Sequence, residues 1–177
     1  MAKLKDIDYS ILFELMKNSK ISDRQMAKKI GVSQPTVTRR RARLEKEGFL
    51  EYTTIPNFEK LGFEIMSFSF SKWTSEALTE MLPTEEFNKQ VQKFLSKHPN
   101  VILATTGGSG LGGMDNASIT VHKNYAEYHN WVNEIRSTWG KYVAEFQSFI
   151  FSLEGKNVVR NITSKFLWEY IREAVKS

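Results

Sequence analysis

The reactive side chains of this 177-residue chain are mainly cations and hydroxyl groups. The sequence has no cysteine, and its three histidines, His98, His122 and His129, include no pair at a metal-ligand spacing. This composition excludes disulfides, thiolate catalysis and cysteine-ligated metal sites. We therefore expect no catalytic residue, no metal site and no cofactor.

The densest group of cations comprises Arg39-Arg40-Arg41, Arg43 and Lys46, with Thr36 and Thr38 beside them. Arginine can pair in bidentate fashion with guanine, threonine can bond a base or a phosphate, and lysine neutralises phosphate. These residue types suit the major groove of DNA. A solubilising helix surface would have the same composition, so the surrounding elements must decide between the two interpretations.

Charge is distributed unevenly along the chain. Residues 1–60 hold 13 Lys+Arg against 8 Asp+Glu, whereas residues 61–177 hold 12 of each, so the net charge of +5 lies entirely in the first third. This asymmetry suggests a polyanion-binding module joined to a neutral module with another task. A solvated basic face is the alternative.

Apolar spacing and capping residues predict two helices at the start of the chain. The first begins at Asp6, runs for about three turns and is closed by Asn18-Ser19. The capping box Ser22-Asp23-Arg24-Gln25 opens the second, Asp23 to Ile30, and Gly31 can adopt the left-handed conformation that ends it.

A third helix follows a three-residue turn, which gives the outline of a helix-turn-helix. Ser33 caps this helix and Pro35 lies in its first turn. Ala27, Gly31 and Val37 stand where the motif needs a small residue, a turn glycine and an apolar anchor. Within this frame, DNA contact is favoured over a solubilising surface. The expected DNA-contacting residues are Ser33, Gln34, Pro35, Thr36, Thr38, Arg39, Arg40, Arg43 and Lys46.

The segment after the third helix is β-prone. Phe49-Leu50-Glu51-Tyr52-Thr53-Thr54-Ile55 is apolar and rich in β-forming residues, and it stops at Pro56. We predict a strand there, as a wing hairpin or its first strand.

The order of residues in this first third resembles the DNA-binding half of the Lrp/AsnC family of bacterial and archaeal transcription regulators. The resemblance covers about the first 62 residues without a gap. That family usually carries an aliphatic residue where this chain has Arg41, which we expect at the core edge or in an ion pair. The matching pattern is Leu4-x-x-Ile7-Asp8-x-x-Ile11-Leu12, Ile21-Ser22, Ala27-x-x-x-Gly31-Val32-Ser33-x-x-Thr36-Val37 and Arg40-x-x-Arg43-Leu44-Glu45-x-x-Gly48-Phe49-Leu50.

The remaining elements occur in the order β-α-β-β-α-β, which is typical of a ferredoxin-like antiparallel sheet covered on one side by two helices. An apolar stripe over residues 166–174 predicts a further terminal helix that docks on its own subunit or a neighbour. The expected fold class is α+β. The expected domains are a winged helix-turn-helix over 1–61, a ferredoxin-like domain over 62–154 and a helical extension over 155–177.

The resemblance also implies an assembly. In the Lrp/AsnC family the second module is the regulation-of-amino-acid-metabolism domain, whose sheets pack face to face in dimers that often form octamers. We therefore expect a homodimer or higher oligomer. Trp131 and Trp139 are expected in the core or at an interface.

A glycine-rich loop, Gly107 to Gly113, contains a formal G-x-G-x-x-G. The loop leads into a strand, whereas a dinucleotide-binding motif must lead into a helix. In the Lrp/AsnC family the corresponding hairpin helps line a small-molecule pocket at the subunit interface, while a flexible hairpin loop is the alternative. The residues implied in binding an amino-acid effector are Gly108, Gly110, Gly113 and Asp115.

These features favour a cytoplasmic regulator that binds double-stranded DNA and is modulated by a small molecule. The sequence shows neither an apolar signal core at its start nor a run of about 18 apolar residues, so we expect no membrane association. Two alternatives share the architecture. One is an enzyme similar to sirohaem decarboxylases, and the other is a metabolite-sensing assembly protein without DNA binding.

Overall fold

A computed structural model describes residues 4–82, 84–108, 110–155, 158–160 and 162–176. The helices and strands are α1 (Asp6–Lys17), α2 (Asp23–Ile30), α3 (Gln34–Lys46), β1 (Ile65–Trp73), α4 (Glu85–Lys97), β2 (Val101–Thr105), β3 (Asn116–His122), α5 (Tyr125–Trp139), β4 (Val143–Ser152) and α6 (Leu167–Lys176). Short helical turns also occur at Glu59–Leu61, Ala77–Met81 and Leu111–Gly113. In the described part of the chain, no helix is long and apolar enough to cross a membrane.

The chain forms two compact units, which differ from the predicted domains at both boundaries. Residues 1–55 and 161–177 make one unit, and residues 56–160 make the other. The boundary precedes residue 61 because Phe58 and Phe63 pack on the hydrophobic cluster of the second unit. The terminal extension is divided because its helix belongs to the first unit.

The first unit is built on a three-helix core, as the capping and spacing signals predict. Ile11 of α1, Met26 of α2, and Val37 and Leu44 of α3 are fully buried. Ser22 caps α2 by accepting a hydrogen bond from the Gln25 backbone N–H at 3.2 Å. Glycine 31 ends α2 with φ +74°, which confirms the left-handed turn expected between α2 and α3.

The terminal helix α6 packs on α1 of its own chain. The ring of Trp168 lies 6.3 Å from the ring of Phe13, and the ammonium group of Lys17 lies 3.9 Å from the centre of Trp168. Arg172 covers the same indole at 4.9 Å. The predicted terminal helix therefore adds a fourth helix to the first unit, but it docks through Trp168, while Phe166, Leu167 and Tyr170 of the predicted apolar stripe are exposed.

The strand predicted over residues 49–55 is wrong. Residues 50–57 have no regular secondary structure. Strands require a neighbouring ladder partner, and the described residues contain one sheet, which lies in the second unit. Local anchors hold the segment instead, because Leu50 packs on the helical core and Tyr52 accepts a hydrogen bond from Arg41.

The second unit is the expected ferredoxin-like fold. Its four antiparallel strands have the order β2-β3-β1-β4. Trp73 of β1 packs against Phe87 of α4 and Trp139 of α5, with ring centres 5.7 and 6.2 Å apart. Since alternate residues share a face, the helices cover the side of β1 that carries Ser67, Ser69 and Ser71.

Hydroxyl groups and one histidine form a buried chain beneath the helices. The Oγ of Ser67 lies 2.6 Å from Oγ1 of Thr120, which lies 2.7 Å from Nε2 of His122. Burial lowers the pKa of His122 to about 4, because the charged ring would lose its hydration. His122 is therefore neutral at pH 7, and it packs against Trp131.

Candidate nucleic-acid interface and effector pocket

Helix α3 presents a polar, basic surface to solvent. Its first turn follows Ser33, whose hydroxyl lies 2.8 Å from that of Thr36, and Pro35 occupies the start of the helix. The exposed members of the predicted set are Ser33, Gln34, Pro35, Thr38, Arg39 and Lys46. Thr36, Arg40 and Arg43 are only partly exposed.

A buried carboxylate in α1 holds two of the arginines. Asp8 is fully buried, and its oxygens lie 2.8 Å from Nη1 of Arg40 and 3.2 Å from Nη2 of Arg43. The backbone N–H of Lys5 donates to the same carboxylate at 2.9 Å. Burial would raise the pKa of Asp8, but these hydrogen bonds and positive charges outweigh it and lower the pKa. Asp8 is therefore ionised in the folded protein.

This arrangement divides the cations of α3 into two groups. The guanidinium groups of Arg40 and Arg43 are bound to Asp8, and the Arg40 side chain is only 18% exposed. Arg39 and Lys46 are exposed and make no hydrogen bond or ion pair within the described residues. The geometry therefore favours an intramolecular role for Arg40 and leaves Arg39 and Lys46 available for an external anion.

A second acidic residue joins α2 to α3. Asp23 accepts a hydrogen bond from the Thr38 hydroxyl at 2.6 Å and forms an ion pair with Arg41 at 3.0 Å. Arg41 thus forms the ion pair expected of a charged residue at a usually aliphatic position. These contacts fix the N-terminal half of α3, because Thr38 lies one turn after the start of the helix.

Sequence reasoning missed Asp8 and Asp23 as partners of α3. A signal for Asp8 was present, because it precedes Ile11, Leu12 and Leu15 by three, four and seven residues and therefore lies on the apolar stripe of α1. A carboxylate on a buried stripe requires a cation. The arginine-rich segment of α3 supplies two such cations, Arg40 and Arg43.

The β2–β3 hairpin lines an open cavity of about 450 Å³ together with Phe70 and Gln147. Backbone hydrogen bonds of 2.7 Å join Gly108 to Asp115 and Gly110 to Met114. Three of the four predicted effector residues, Gly108, Gly110 and Asp115, line this cavity. The fourth, Gly113, lies outside the lining, and a Cβ added there would meet the Lys72 ammonium at 3.2 Å.

The carboxylate of Asp115 is already partly engaged. It accepts hydrogen bonds from the backbone N–H of Trp73, at 3.1 and 3.3 Å, and from the Asn116 amide at 2.8 Å. One negative charge therefore lines this small cavity. The loop connects two strands, as expected, and does not open a helix. Within the described ranges, no group of His, Cys, Asp or Glu could hold a metal ion.

Comparison with known proteins places the first unit in a class. Residues 4–51 match the family model described as winged helix-turn-helix DNA-binding. The HTH-type transcriptional regulator LrpC of Bacillus subtilis is 41% identical over 64 residues, which are 36% of this chain and 44% of LrpC. The leucine-responsive regulatory protein of Escherichia coli is 34% identical over 90 residues, which are 49% of this chain and 52% of that protein. The chain thus spans about half or less of the length of these relatives.

Solved structures extend the likeness across both units. A transcriptional regulator from Neisseria meningitidis, in complex with L-Met, has a TM-score of 0.71 at 15% identity and covers 96% of this chain and 99% of its own. An AsnC family transcriptional regulator from Agrobacterium tumefaciens has a TM-score of 0.70 at 18% identity. The match covers 95% of this chain and 99% of that protein. At such identities the likeness shows a shared fold.

The fold and the matches define a helix-turn-helix DNA-binding domain joined to a ferredoxin-like domain. The DNA-binding part of the chain is therefore similar to that of Lrp-type regulators, in agreement with the resemblance seen in the sequence, and the solved structures share the fold of both units.

We predict that Asp8→Asn lowers the free energy of unfolding by about 2–3 kcal/mol at pH 7. Breaking a fully buried ion pair costs about 3–5 kcal/mol, and the partial exposure of Arg43 reduces that penalty. Because the native pKa of Asp8 lies below the unfolded value, its stabilisation is present above pH of about 4 and is lost as pH falls through the native pKa. Urea unfolding of both proteins between pH 7 and pH 3 measures this difference.

Asp6→Asn is the matched control, since Asp6 is exposed in the same turn of α1. It should change stability by less than about 0.5 kcal/mol. Equal effects of the two substitutions, or a pH-independent difference between Asp8→Asn and the wild type, would contradict the role assigned to Asp8.

Proposed function

We propose that this protein is a cytoplasmic, sequence-specific DNA-binding transcription regulator that inserts α3 into the major groove. One observation carries the proposal: the exposed side of α3 keeps Arg39 and Lys46 free of internal partners, while Asp8 and Asp23 fix the opposite side. A helix that is both anchored and basic on its outer face suits groove reading.

In this proposal, the two ends of α3 make different contacts with DNA. Arg39 lies in the N-terminal half, where recognition helices contact base edges, and Lys46 lies at the last turn, where a phosphate contact is expected. Two copies of α3 in a dimer would read half-sites about one helical turn apart, or a multiple of it, on a pseudo-palindrome.

We expect selection from random duplex DNA to enrich a pseudo-palindromic site bound at least about a thousandfold more tightly than a scrambled duplex. Arg39→Ala should weaken binding to that site by about tenfold to a hundredfold and relax one position of it. Lys46→Ala should weaken binding to both duplexes equally. It should also reduce the slope of the logarithm of affinity against the logarithm of salt concentration by about one. Fluorescence anisotropy over a salt series measures all three.

Lys89→Ala, an exposed lysine of α4 in the second unit, is the control and should bind like the wild type. Weak, salt-labile binding without an enriched sequence, or identical losses for Arg39→Ala on selected and scrambled duplexes, would argue against sequence reading by α3.

The uncovered face of the sheet is the proposed assembly surface. Leu103, Ile119, Phe68 and Phe149 lie side by side across β2, β3, β1 and β4. Leu103 is 47% and Phe149 is 65% exposed. A contiguous apolar row of this kind marks an interaction surface, and face-to-face packing of two copies would cover it.

Phe149→Glu should convert the dimer or higher oligomer into a monomer, because it buries a charge in an apolar interface. Light scattering during size-exclusion chromatography measures the mass directly. Tyr125→Glu is the control, since Tyr125 is 59% exposed at the start of α5. A monomeric wild type, or an oligomeric Phe149→Glu variant, would contradict the proposed surface.

The hairpin cavity is the proposed effector site, and its single carboxylate favours a ligand with an ammonium group. Gly108 and Gly110 line the cavity, and the Asp115 carboxylate can accept a hydrogen bond from an amino group. The L-methionine found with the Neisseria structure agrees in chemistry with an amino acid here.

A panel of L-amino acids should therefore include at least one that raises the melting temperature. At a hundredfold excess over its Kd, the ligand adds about 2.7 kcal/mol of stability. Asp115→Asn should abolish the increase, whereas Glu85→Gln, at an exposed position of α4, should retain it. The absence of any response by melting or by assembly across the panel would refute an amino-acid effector.

A further inference from the structure

Thr38 lies beside Arg39 in the N-terminal half of α3, where recognition helices contact base edges. Its side chain carries a hydroxyl group and a methyl group on the same carbon atom. A hydroxyl group can donate or accept a hydrogen bond, whereas a threonine methyl group can make an apolar contact with the methyl group of thymine. Which of the two groups is free therefore decides which base this residue can read.

The hydroxyl group of Thr38 is occupied within the first unit. Its Oγ1 lies 2.6 Å from Oδ2 of Asp23 and 3.2 Å from the carbonyl oxygen of Gln34. Both partners are acceptors, and a hydroxyl group has one proton with which to donate. The carboxylate is nearer and charged, so the hydroxyl donates to it. Thr38 consequently cannot donate to a base without breaking this contact.

These two contacts also orient the Thr38 side chain. Asp23 belongs to α2 and Gln34 to the preceding turn of α3, so the oxygen is held toward α2 and toward its own helix. Thr38 is nevertheless exposed to solvent. The methyl group is the other substituent of Cβ, and it is the group that is left for an external contact.

The negative charge of Asp23 is balanced within the unit. An unbalanced carboxylate beside α3 would repel DNA phosphates. Oδ1 of Asp23 lies 3.0 Å from Nη1 of Arg41, and the two side chains are each only 22% exposed. This ion pair offsets the charge and holds the carboxylate in place. Asp23 is therefore a fixed acceptor beside α3 that opposes DNA binding little.

We propose that Asp23 is a positioning residue for sequence reading, because it holds the Thr38 hydroxyl and so directs the Thr38 methyl group to the methyl group of a thymine in the major groove. The inference rests on the proposed function, since it requires α3 to lie in that groove. It adds the identity of a base, because one thymine in each half-site is recognised by its methyl group. Thr38 makes the contact, and Asp23 acts through Thr38.

Deoxyuridine tests this contact, because it pairs like thymidine and lacks only the methyl group. Thymines of the selected duplex are replaced by deoxyuridine at symmetric positions, one pair at a time, and affinities are measured by fluorescence anisotropy at constant salt. Loss of one methyl contact should weaken binding about fourfold in each half-site, so at least one symmetric pair should cost the wild type about tenfold to twentyfold.

Two substitutions of Thr38 separate its methyl group from its hydroxyl group. Thr38→Val keeps the methyl group and should retain the preference for thymine over deoxyuridine at this pair. Thr38→Ser keeps the hydroxyl group and should bind both duplexes equally, with the wild-type affinity for the deoxyuridine duplex. Thr79→Ser is the control, because Thr79 is an exposed threonine of the second unit whose hydroxyl also donates to the carbonyl four residues before it. It should behave like the wild type.

Two substitutions of Asp23 test the positioning role. Asp23→Asn keeps an acceptor oxygen for Thr38 and should retain most of the preference. Asp23→Ala releases the hydroxyl group to other rotamers and should reduce the preference to less than about threefold. A purely structural effect of Asp23→Ala would weaken binding to the thymine and deoxyuridine duplexes by the same factor and leave their ratio unchanged.

Three results would overturn the proposal: no symmetric pair at which deoxyuridine weakens binding of the wild type, an unchanged preference in Thr38→Ser, or an unchanged preference in Asp23→Ala. The first needs no variant, so it stands even if a substitution disturbs folding. Failure of the proposed function would be seen earlier, as the absence of any enriched duplex, and would overturn both. An enriched site that is bound alike with thymine and with deoxyuridine would refute this inference alone.

Discussion

The first unit depends on one buried charge. Asp8 is removed from water inside the helical core, and its desolvation is offset only because Arg40, Arg43 and the Lys5 backbone N–H converge on it. Hydrogen bonds are directional, so the bonds from Arg40 and Arg43 to this carboxylate fix how α3 lies against α1. An apolar contact would stabilise the crossing without specifying its rotation.

The same constraint explains why three consecutive arginines have three surroundings. Neighbouring residues on a helix point about 100° apart, so Arg39, Arg40 and Arg41 cannot share a target. Arg40 is directed to Asp8, Arg41 to Asp23 and Arg39 to solvent. Of three residues that look alike in sequence, two are therefore held in ion pairs within the unit and one is exposed to solvent.

Local signals were sufficient for the helices and for the order of strands. Capping at Ser22 and the glycine at position 31 define α2 to the residue, because both act within one turn. The strand predicted over 49–55 failed because a strand also needs a partner that local sequence does not specify. Alternation in β1 identified its two faces, but not that the helices would cover Ser67 and Ser69 and leave Phe70 exposed.

The candidate sites were also predictable only where residues close together in sequence determine them. The spacing that marks α3 as a recognition helix is local, whereas the distinction between Arg39 and Arg40 depends on a carboxylate 32 positions away in sequence. The hairpin glycines were recognised by motif, but Gly113 lies outside the cavity because the loop folds toward Lys72.

The docking of α6 on α1 has a consequence for the order of events during synthesis. Domains generally fold in the order in which they leave the ribosome. Here Phe13 and Lys17 can make their contacts with Trp168 only after about 150 further residues have been synthesised. The ferredoxin-like unit emerges entirely between the two halves of the first. The three-helix core can form early, yet its outer aromatic surface stays open to chaperones or to other nascent chains until the last helix arrives.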